Sequence, residues 1–597
     1  MKTAILLFFV YFSNCLCQAQ IATINITNIN TTVMNNSSLL FGITFDSRTS
    51  LTANGGLGQI GYYNSNGTII PAVDALFSDF PMSTLRYPGN GIAVGFDWKK
   101  SIGSGTRPNQ NLLGGIGSPQ PVNFGFDEFM TMSASKGVSP DNIQIMVPIY
   151  DPTTVGLTTI QASAAVANVI ANNADWVEYC NAPNNNSNPS GGTDWAAVRA
   201  ANGHPLPYGI KIWNIGNEPW SSLEFGPTNT SCINYINSVT PIINAMLAID
   251  PTIKITLPTT GNPTNSANWS NALLNSSLVA QGKVYALSQH YFPTETTTVG
   301  IAPTQGVTAV NSVLNSLITV AATKGVKVFI GDYAHNIVSP NPTTAEKDYA
   351  MQWVAANFET DFLLMLSQKS TVERANFWIY GNAQATWHPI RFNALNNYTL
   401  MPAAGIYKIL FPAFLDKSIS TSSTSPISSD LNPYAVRSNA FVSNNLNKLN
   451  VVAVNRDKTN TVPLQVNGVV GYSLVQARLL TANALTSETI IESVATTDIS
   501  GNYIMPAMGV LILEYTNSAL GIDESNYTES DNYLYPNPSS ESISFKETQN
   551  EIEIYNSIGQ IIIPKQQQVK TIITEHFANG IYYIKTDKIN YKFIVRH

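Results

Sequence analysis

The stretch "IKIWNIGNEPW", residues 210 to 220, sets a run of β-branched and aromatic residues against an abrupt stop. Ile210, Ile212, Trp213 and Ile215 are strand-forming types. Pro219 cannot donate to a sheet ladder, so the strand must end before it. The run therefore delivers Asn217 and Glu218 at its C-terminal end, and Gly216 permits close backbone approach. The same Asn-Glu-Pro would also suit a strand end that merely opens a helix with proline in its first turn. The place of this strand among the others decides between the two.

Seven further runs have the same character: "LLFGITFD" (39–46), "STLRYPG" (83–89), "IQIMVPIY" (143–150), "IKITLPT" (253–259), "YALSQHY" (285–291), "VKVFIGDY" (326–333) and "ANFWIYG" (375–381). Helix-like segments lie between them, among them residues 159–179, 233–250 and 345–368. Eight near-continuous apolar strands alternating with helices predict a parallel sheet closed into a (β/α)8 TIM barrel, an α/β fold. The strand-bearing span is residues 38 to 412, and the barrel domain is taken as 20–412.

Active sites of such barrels lie at the C-terminal ends of the strands. In chain order those ends bear Asp46, Arg86 with Asn90, Tyr150, Asn217 with Glu218, His290 with Tyr291, Asp332 and Trp378, and Trp387 follows in a polar loop. Carboxylates, amides and aromatic rings on one concave surface suit sugar chemistry. Rings stack on C–H-rich sugar faces, amides orient hydroxyls, and two carboxylates flank the scissile bond. Glu218, ending the fourth strand, is one candidate catalytic carboxylate, and Asp332, ending the seventh, is the other.

Asp332 has two plainer readings, as the cap of a following helix or as a partner for His335. Caps favour aspartate, but "YAHNIVSPNP" beyond it has no helical pattern. Glu295 is a reserve carboxylate in a solvated loop. Arg86 is expected to support Asp332 electrostatically. Asp46, Asn90, Tyr150, Asn217, His290, Tyr291, Trp378 and Trp387 are expected to contact substrate, although core packing also suits Trp378.

The chain has 597 residues, too many for a single core, with a net charge of −7 and only 12% charged residues. The net negative charge argues against nucleic acid, and a sparsely charged, hydrogen-bonding surface fits an exported protein that handles neutral polymers. Lys2 and "AILLFFVYF" (4–12) read as a secretory signal over residues 1–19, ahead of a cleavage site near Cys15 to Ala19. No later apolar run reads as membrane-spanning. Cys180 and Cys232 are then the remaining cysteines, and in an oxidising compartment they are open to pairing. The six histidines show no metal-ligand spacing, so neither a catalytic metal nor a cofactor is expected.

After Pro412 the pattern changes. Short β-type runs such as "NAFVSNN" (439–445), "LNVVAVNR" (449–456) and "GVLILEY" (509–515) predict an antiparallel sandwich over 413–518. The alternating "IATINITNINTTV" (21–33) offers it a strand, so residues 20–37 are candidates to join it. Residues 519–532 form a polar linker. The last segment, 533–597, is a small β module. Its Tyr535, Pro536, Asn537 and Pro538, its "IYNSIGQ" (554–560), and Gly580, Tyr582 and Ile584 before a basic end resemble the C-terminal sorting domains that route Bacteroidetes proteins through the type IX secretion system. That resemblance implies export to the surface or the medium and contact with the secretion machinery.

A second resemblance rests on "LRYPGNGIAVGFDWKKSIG" (85–103), "DWVEYCNAP" (175–183), "VRAANGHPLPYGIKIWNIGNEPW" (198–220) and "SQHYFP" (288–293), in that order ahead of a sandwich. These stretches span most of residues 38 to 515 and resemble the clan A glycoside hydrolases, family 51 α-L-arabinofuranosidases in particular. The resemblance implies a retaining mechanism with Glu218 as acid/base and Asn217 beside it. The family's strand-two asparagine falls on Asn90, and its strand-six histidine and tyrosine fall on His290 and Tyr291.

Three departures stand out. The family's strand-seven nucleophile is a glutamate, whereas this chain has Asp332. Its sugar-binding strand-one glutamate is shortened to Asp46, and "RYPGN" lacks a glycine of the family pattern. An aspartate withdraws the carboxylate by one methylene, on the order of 1.5 Å. Either the backbone compensates and Asp332 remains a covalent nucleophile, or the wider gap admits water and the enzyme inverts, or catalysis is lost and binding survives. The first is the expectation: a secreted hydrolase cleaving glycosidic bonds in plant or algal polysaccharide. The alternatives are a silent surface carbohydrate-binding protein and another clan A specificity, endo-β-glycanase or glucuronidase-like.

Overall fold

A computed structural model describes residues 21–45, 67–89, 96–105, 107–110, 122–149, 167–221, 224–261, 266–293, 306–336, 343–380, 387–392, 398–429, 432–517, 527–529, 534–556, 560–587 and 590–597. The signal segment and much of the linker lie outside these residues. Two short strands, β1 (Ala22–Ile26) and β2 (Thr32–Met34), precede the barrel. The barrel strands are β3 (Gly42–Phe45), β4 (Leu85–Tyr87), β5 (Ile143–Val147), β6 (Ile212–Ile215), β7 (Lys254–Thr260), β8 (Val284–Tyr291), β9 (Lys327–Tyr333) and β10 (Val372–Tyr380). They close in chain order, β10 returning to β3, and each neighbouring pair is parallel. Each of the eight runs predicted from the sequence overlaps one of them.

The barrel interior carries polar side chains where branched aliphatics are usual. Gln144 of β5 donates to Asn214 Oδ1 of β6 and Thr256 Oγ1 of β7, both at 3.4 Å, and Thr256 donates to Asn214 Oδ1 at 2.8 Å. Thr84, just before β4, donates to Asn376 Oδ1 of β10 at 2.6 Å. Bonds that skip a strand can form only through the lumen. Ile212, Ala286 and Phe329 form a small separate apolar cluster, and the main apolar packing lies outside the strands. Trp176 of helix Ala167–Asn181 stacks on Trp98 at 5.7 Å and meets Trp213 of β6 edge-on.

Helix Asn229–Ile249 is long and apolar enough to cross a membrane by length and composition, which the sequence reading had not allowed for. It lies against the barrel, burying Tyr235, Val239, Ile242, Ile243 and Met246, and Pro241 sits within it. The helix expected across 345–368 is two, Thr344–Asp348 and Trp353–Ser367. At the break, the backbone N–H groups of Trp353 and Val354 donate to Ser487 and Leu485 carbonyls, at 3.0 and 2.9 Å. A distant segment thus satisfies the donors that open the second helix.

That accepting segment belongs to the sandwich, whose described pairs are antiparallel except that β1 runs parallel to Val462–Asn467. Its larger sheet runs Ile491–Val494, Tyr472–Thr481, Val510–Asn517, Lys448–Asn455, Val436–Val442, Lys417–Ile419 and β2. Its smaller sheet runs Thr421–Thr424, β1, Val462–Asn467 and Tyr503–Met505. Ile24, Leu449, Val451, Leu464, Leu511 and Leu513 fill the space between them. The C-terminal strands form a further sheet with its own core of Phe545, Ile552, Ile554, Ile584 and Phe593. Its first strand, Tyr527–Glu529, lies within the segment read as linker and pairs parallel with Asn590–Val595.

Candidate active site

Every described hydrogen-bonding group of the site stands on or just after a barrel strand, because the C-terminal ends of parallel strands point one way. Arg86 on β4 is the hub. Its Nη1 donates to Asp332 Oδ2 at 2.6 Å, its Nη2 donates to Asn217 Oδ1 at 2.8 Å, and Nη2 also lies 3.3 Å from His290 Nε2. Thr44 on β3 donates to the other Asp332 oxygen, Oδ1. His290 Nδ1 meets Glu218 Oε1 at 2.8 Å and Asp332 Oδ2 at 3.6 Å. One imidazole nitrogen thus faces both carboxylates.

The carboxylates differ in access. The Asp332 side chain is 3% exposed and forms the floor, whereas Glu218 keeps 39% of its side chain exposed at the rim. Burial pushes the Glu218 carboxyl up, but its hydrogen bond with His290 and the charge of Arg86 outweigh it, leaving the group below its ordinary value. Burial pulls Arg86 down, against the opposing pull of Asp332 and Glu218.

Two glycines make this geometry possible. Gly216 has φ +84°, a conformation L side chains rarely adopt, and it turns the chain from β6 into Asn217 and Glu218. Gly331 on β9 makes room: a Cβ there would stand 2.2 Å from Ser288 Oγ and 2.8 Å from His290 Nε2. Trp220, just past Pro219, packs edge-on against the His290 ring at 5.5 Å.

Arg86, Asn217, Glu218, His290 and Asp332 therefore come together. Tyr291 does not join them. It follows His290 on the same strand, so its side chain takes the opposite face, where it packs against Phe362 of helix Trp353–Ser367 at 6.3 Å. Its hydroxyl donates to Gln289, and burial pushes its pKa up.

Trp378 and Trp387 form an aromatic cluster with Phe292, at centroid distances of 6.1, 5.4 and 6.4 Å. Trp387 donates to the His335 carbonyl at 3.0 Å, while the buried Trp378 indole N–H has no partner among the described residues. Asp46, Asn90, Tyr150 and Glu295 lie outside the described residues. Asp332 is no helix cap, since β9 continues through Tyr333, and its partner is Arg86 rather than His335. His335 is buried against Phe358. Cys180 and Cys232 are both buried free thiols, and Cys232 Sγ donates to the Trp269 carbonyl at 3.4 Å.

Sequence reasoning missed Thr44, Trp220, Gly331 and Ser288.

Comparison with known proteins adds to this geometry. Residues 76–297 match the alpha-L-arabinofuranosidase 1 domain, and residues 533–596 match the secretion system C-terminal sorting domain, which marks a chain for secretion or the cell surface. A probable alpha-L-arabinofuranosidase C from Aspergillus clavatus is 28% identical over 195 residues, 32% of this chain and 33% of that protein. The chain thus spans about a third of the length of the curated relatives it matches. A family 51 alpha-L-arabinofuranosidase from Bifidobacterium longum superposes with a TM-score of 0.64 at 16% identity, over 83% of this chain and 99% of that one. The Thermotoga maritima alpha-L-arabinofuranosidase, solved with arabinose, gives 0.61 at 18% identity over the same shares. The chain therefore has the fold of the family 51 enzymes, with residues 76–297 similar to the alpha-L-arabinofuranosidase 1 domain and residues 533–596 similar to the secretion system C-terminal sorting domain.

Proposed function

We propose that this chain is an exported glycoside hydrolase of the α-L-arabinofuranosidase type, cleaving O-glycosidic bonds in plant or algal polysaccharide with retention of configuration. The observation that carries the reading is that Glu218 Oε1 and Asp332 Oδ2 lie 2.8 and 3.6 Å from one nitrogen, His290 Nδ1. Their facing oxygens can be no farther apart than those two contacts laid end to end. Retaining enzymes hold their carboxyl groups roughly 5–5.5 Å apart, while inverting ones need roughly 6.5–9.5 Å to admit a water. That upper limit is compatible with the retaining spacing, in which Asp332 itself is the nucleophile. The matched domain contains Arg86, Asn217, Glu218 and His290, and the names of the curated relatives supply the arabinofuranoside expectation.

In this mechanism Asp332 Oδ2 bonds to the anomeric carbon as the bond to the leaving oxygen breaks, and protonated Glu218 gives that oxygen its proton. Glu218, now a carboxylate, takes a proton from water. The water oxygen bonds to the anomeric carbon, and Asp332 departs. Arg86 and Thr44 orient Asp332 throughout.

The test is to incubate the parent chain, Glu218→Gln and Asp332→Asn with aryl glycosides and polysaccharides, following the anomeric configuration by NMR. Turnover with retained configuration, lost in both variants, is expected. Activity that survives Asp332→Asn would remove that residue from the mechanism. A parent inactive across a broad panel would indicate a carbohydrate-binding protein instead.

A further inference from the structure

His290 presents its two nitrogens to groups of opposite character. Nε2 lies 3.3 Å from Arg86 Nη2, and a guanidinium has donors only. For that contact to be attractive, Nε2 must accept, so it carries no proton. Nδ1 faces oxygens only, Glu218 Oε1 at 2.8 Å and Asp332 Oδ2 at 3.6 Å, so Nδ1 holds the proton and donates. We propose that Arg86 locks His290 as the neutral Nδ1–H imidazole, and that this proton, aimed at Glu218, holds Glu218 in the carboxylate form that activates water in the second half of the reaction. His290 is then a positioning residue, and the catalytic half of the proposal rests on the hydrolase reading above.

The surroundings support the lock. Among the described residues the charged groups facing the ring are Arg86 from β4, Glu218 from the end of β6 and Asp332 from β9, and the uncharged Trp220 and Gly331 border it. Gly331 leaves no room for the ring to shift toward β9, and Trp220 packs against its side. Arg86 itself is fixed by Asp332 and Asn217, so the group that sets the tautomer cannot swing away. A neutral ring acts on Glu218 as a hydrogen-bond donor rather than as a cation, which is enough to favour its ionised form.

Two measurements test this. Nitrogen-15 spectra of the histidine-labelled chain near neutral pH, with His290 assigned by its loss in His290→Asn, should show a neutral ring protonated on Nδ1. In kinetics, His290→Phe should raise the alkaline limb of kcat/KM by about one pH unit, because Glu218 stays protonated to higher pH without its donor. His290→Asn keeps an N–H in the Nδ1 position and should leave that limb near the parent's. An imidazolium, or a ring protonated on Nε2, in an active enzyme overturns the lock while leaving the hydrolase reading intact. A limb that moves equally in both variants overturns the donor role. A parent that hydrolyses nothing overturns the catalytic half together with the hydrolase reading, and the nitrogen spectra still decide the tautomer.

Discussion

Arg86 and Asp332 form a buried ion pair at 2.6 Å, with side chains 0% and 3% exposed, at the centre of the barrel mouth. The pair is one arm of a fork whose other arm holds Asn217 and touches His290, so a single side chain sets the positions of four strand ends. Arg86→Lys keeps the charge but replaces a planar fork with a point donor. It is expected to lower kcat/KM roughly 100-fold, the scale of losing a preorganised donor. Arg86→Met goes further by leaving Asp332 buried and uncompensated, and about 3–5 kcal/mol of stability should go with it. Urea unfolding of the two variants beside their kinetics separates the effects, and a Lys variant with full activity would show that the fork is dispensable.

Gly331 is predicted to be a functional glycine by steric exclusion rather than by backbone conformation. In Gly331→Ala the new methyl would stand 2.2 Å from Ser288 Oγ and 2.8 Å from His290 Nε2. Overpacking of this kind costs about 1–3 kcal/mol, but displacement of His290 should cost activity more than 10-fold. Adding Ser288→Gly relieves only the hydroxyl contact. The double variant should therefore regain more stability than activity, which thermal unfolding and kcat/KM on the same samples would check.

His335 should govern acid stability. Burial, reinforced by the charges of Arg456 and Lys458, lowers its pKa from 6.5 to about 3, and neither ring nitrogen has a hydrogen-bond partner among the described residues. As pH falls below about 6.5 the unfolded chain takes up a proton that the folded chain refuses, so stability is lost progressively until about pH 3. Because His335 already packs on Phe358, His335→Phe has an apolar neighbour ready for it. The variant should melt at a higher temperature than the parent at pH 4 and close to it at pH 8. Equal melting shifts at both pH values would remove His335 as the cause.

How much of this was readable in the sequence divides along a physical line. The eight strands were legible because each is a short apolar run, and Glu218 because Pro219 fixes where its strand must end. The opposite orientations of His290 and Tyr291 were not, since the phase of a strand is set by its neighbours, here the pairing of His290 with Asp332 and Tyr291 with Tyr333. Thr44 was missed because a lone hydroxyl in an apolar strand gives no sign that it faces a polar lumen. The break at residues 349–352 depends on carbonyls of Leu485 and Ser487, which no local pattern announces.

That break leads to the last prediction. Helix Trp353–Ser367 is buried at every residue, sharing the barrel and sandwich as its surroundings. Asp361 accepts from Tyr434 at 2.8 Å and from Arg437, and Arg456 Nε lies 3.3 Å from its Oδ2. Asn357 donates to the Asn455 and Met508 carbonyls at 3.1 and 2.9 Å. A buried helix whose Asn357 and Asp361 are satisfied by the neighbouring sandwich cannot be uncovered cheaply. A chain ending before residue 413 should therefore fail to fold, whereas one ending near residue 518 should keep the parent's melting temperature. Arg437→Ala in the full chain leaves Arg456 near Asp361 and should destabilise by only about 1–3 kcal/mol. Arg437→Ala combined with Arg456→Met strips both cations from Asp361, and the loss should exceed the sum of the single variants. Additive losses in that cycle would mean that Asp361 is stabilised independently of the pair.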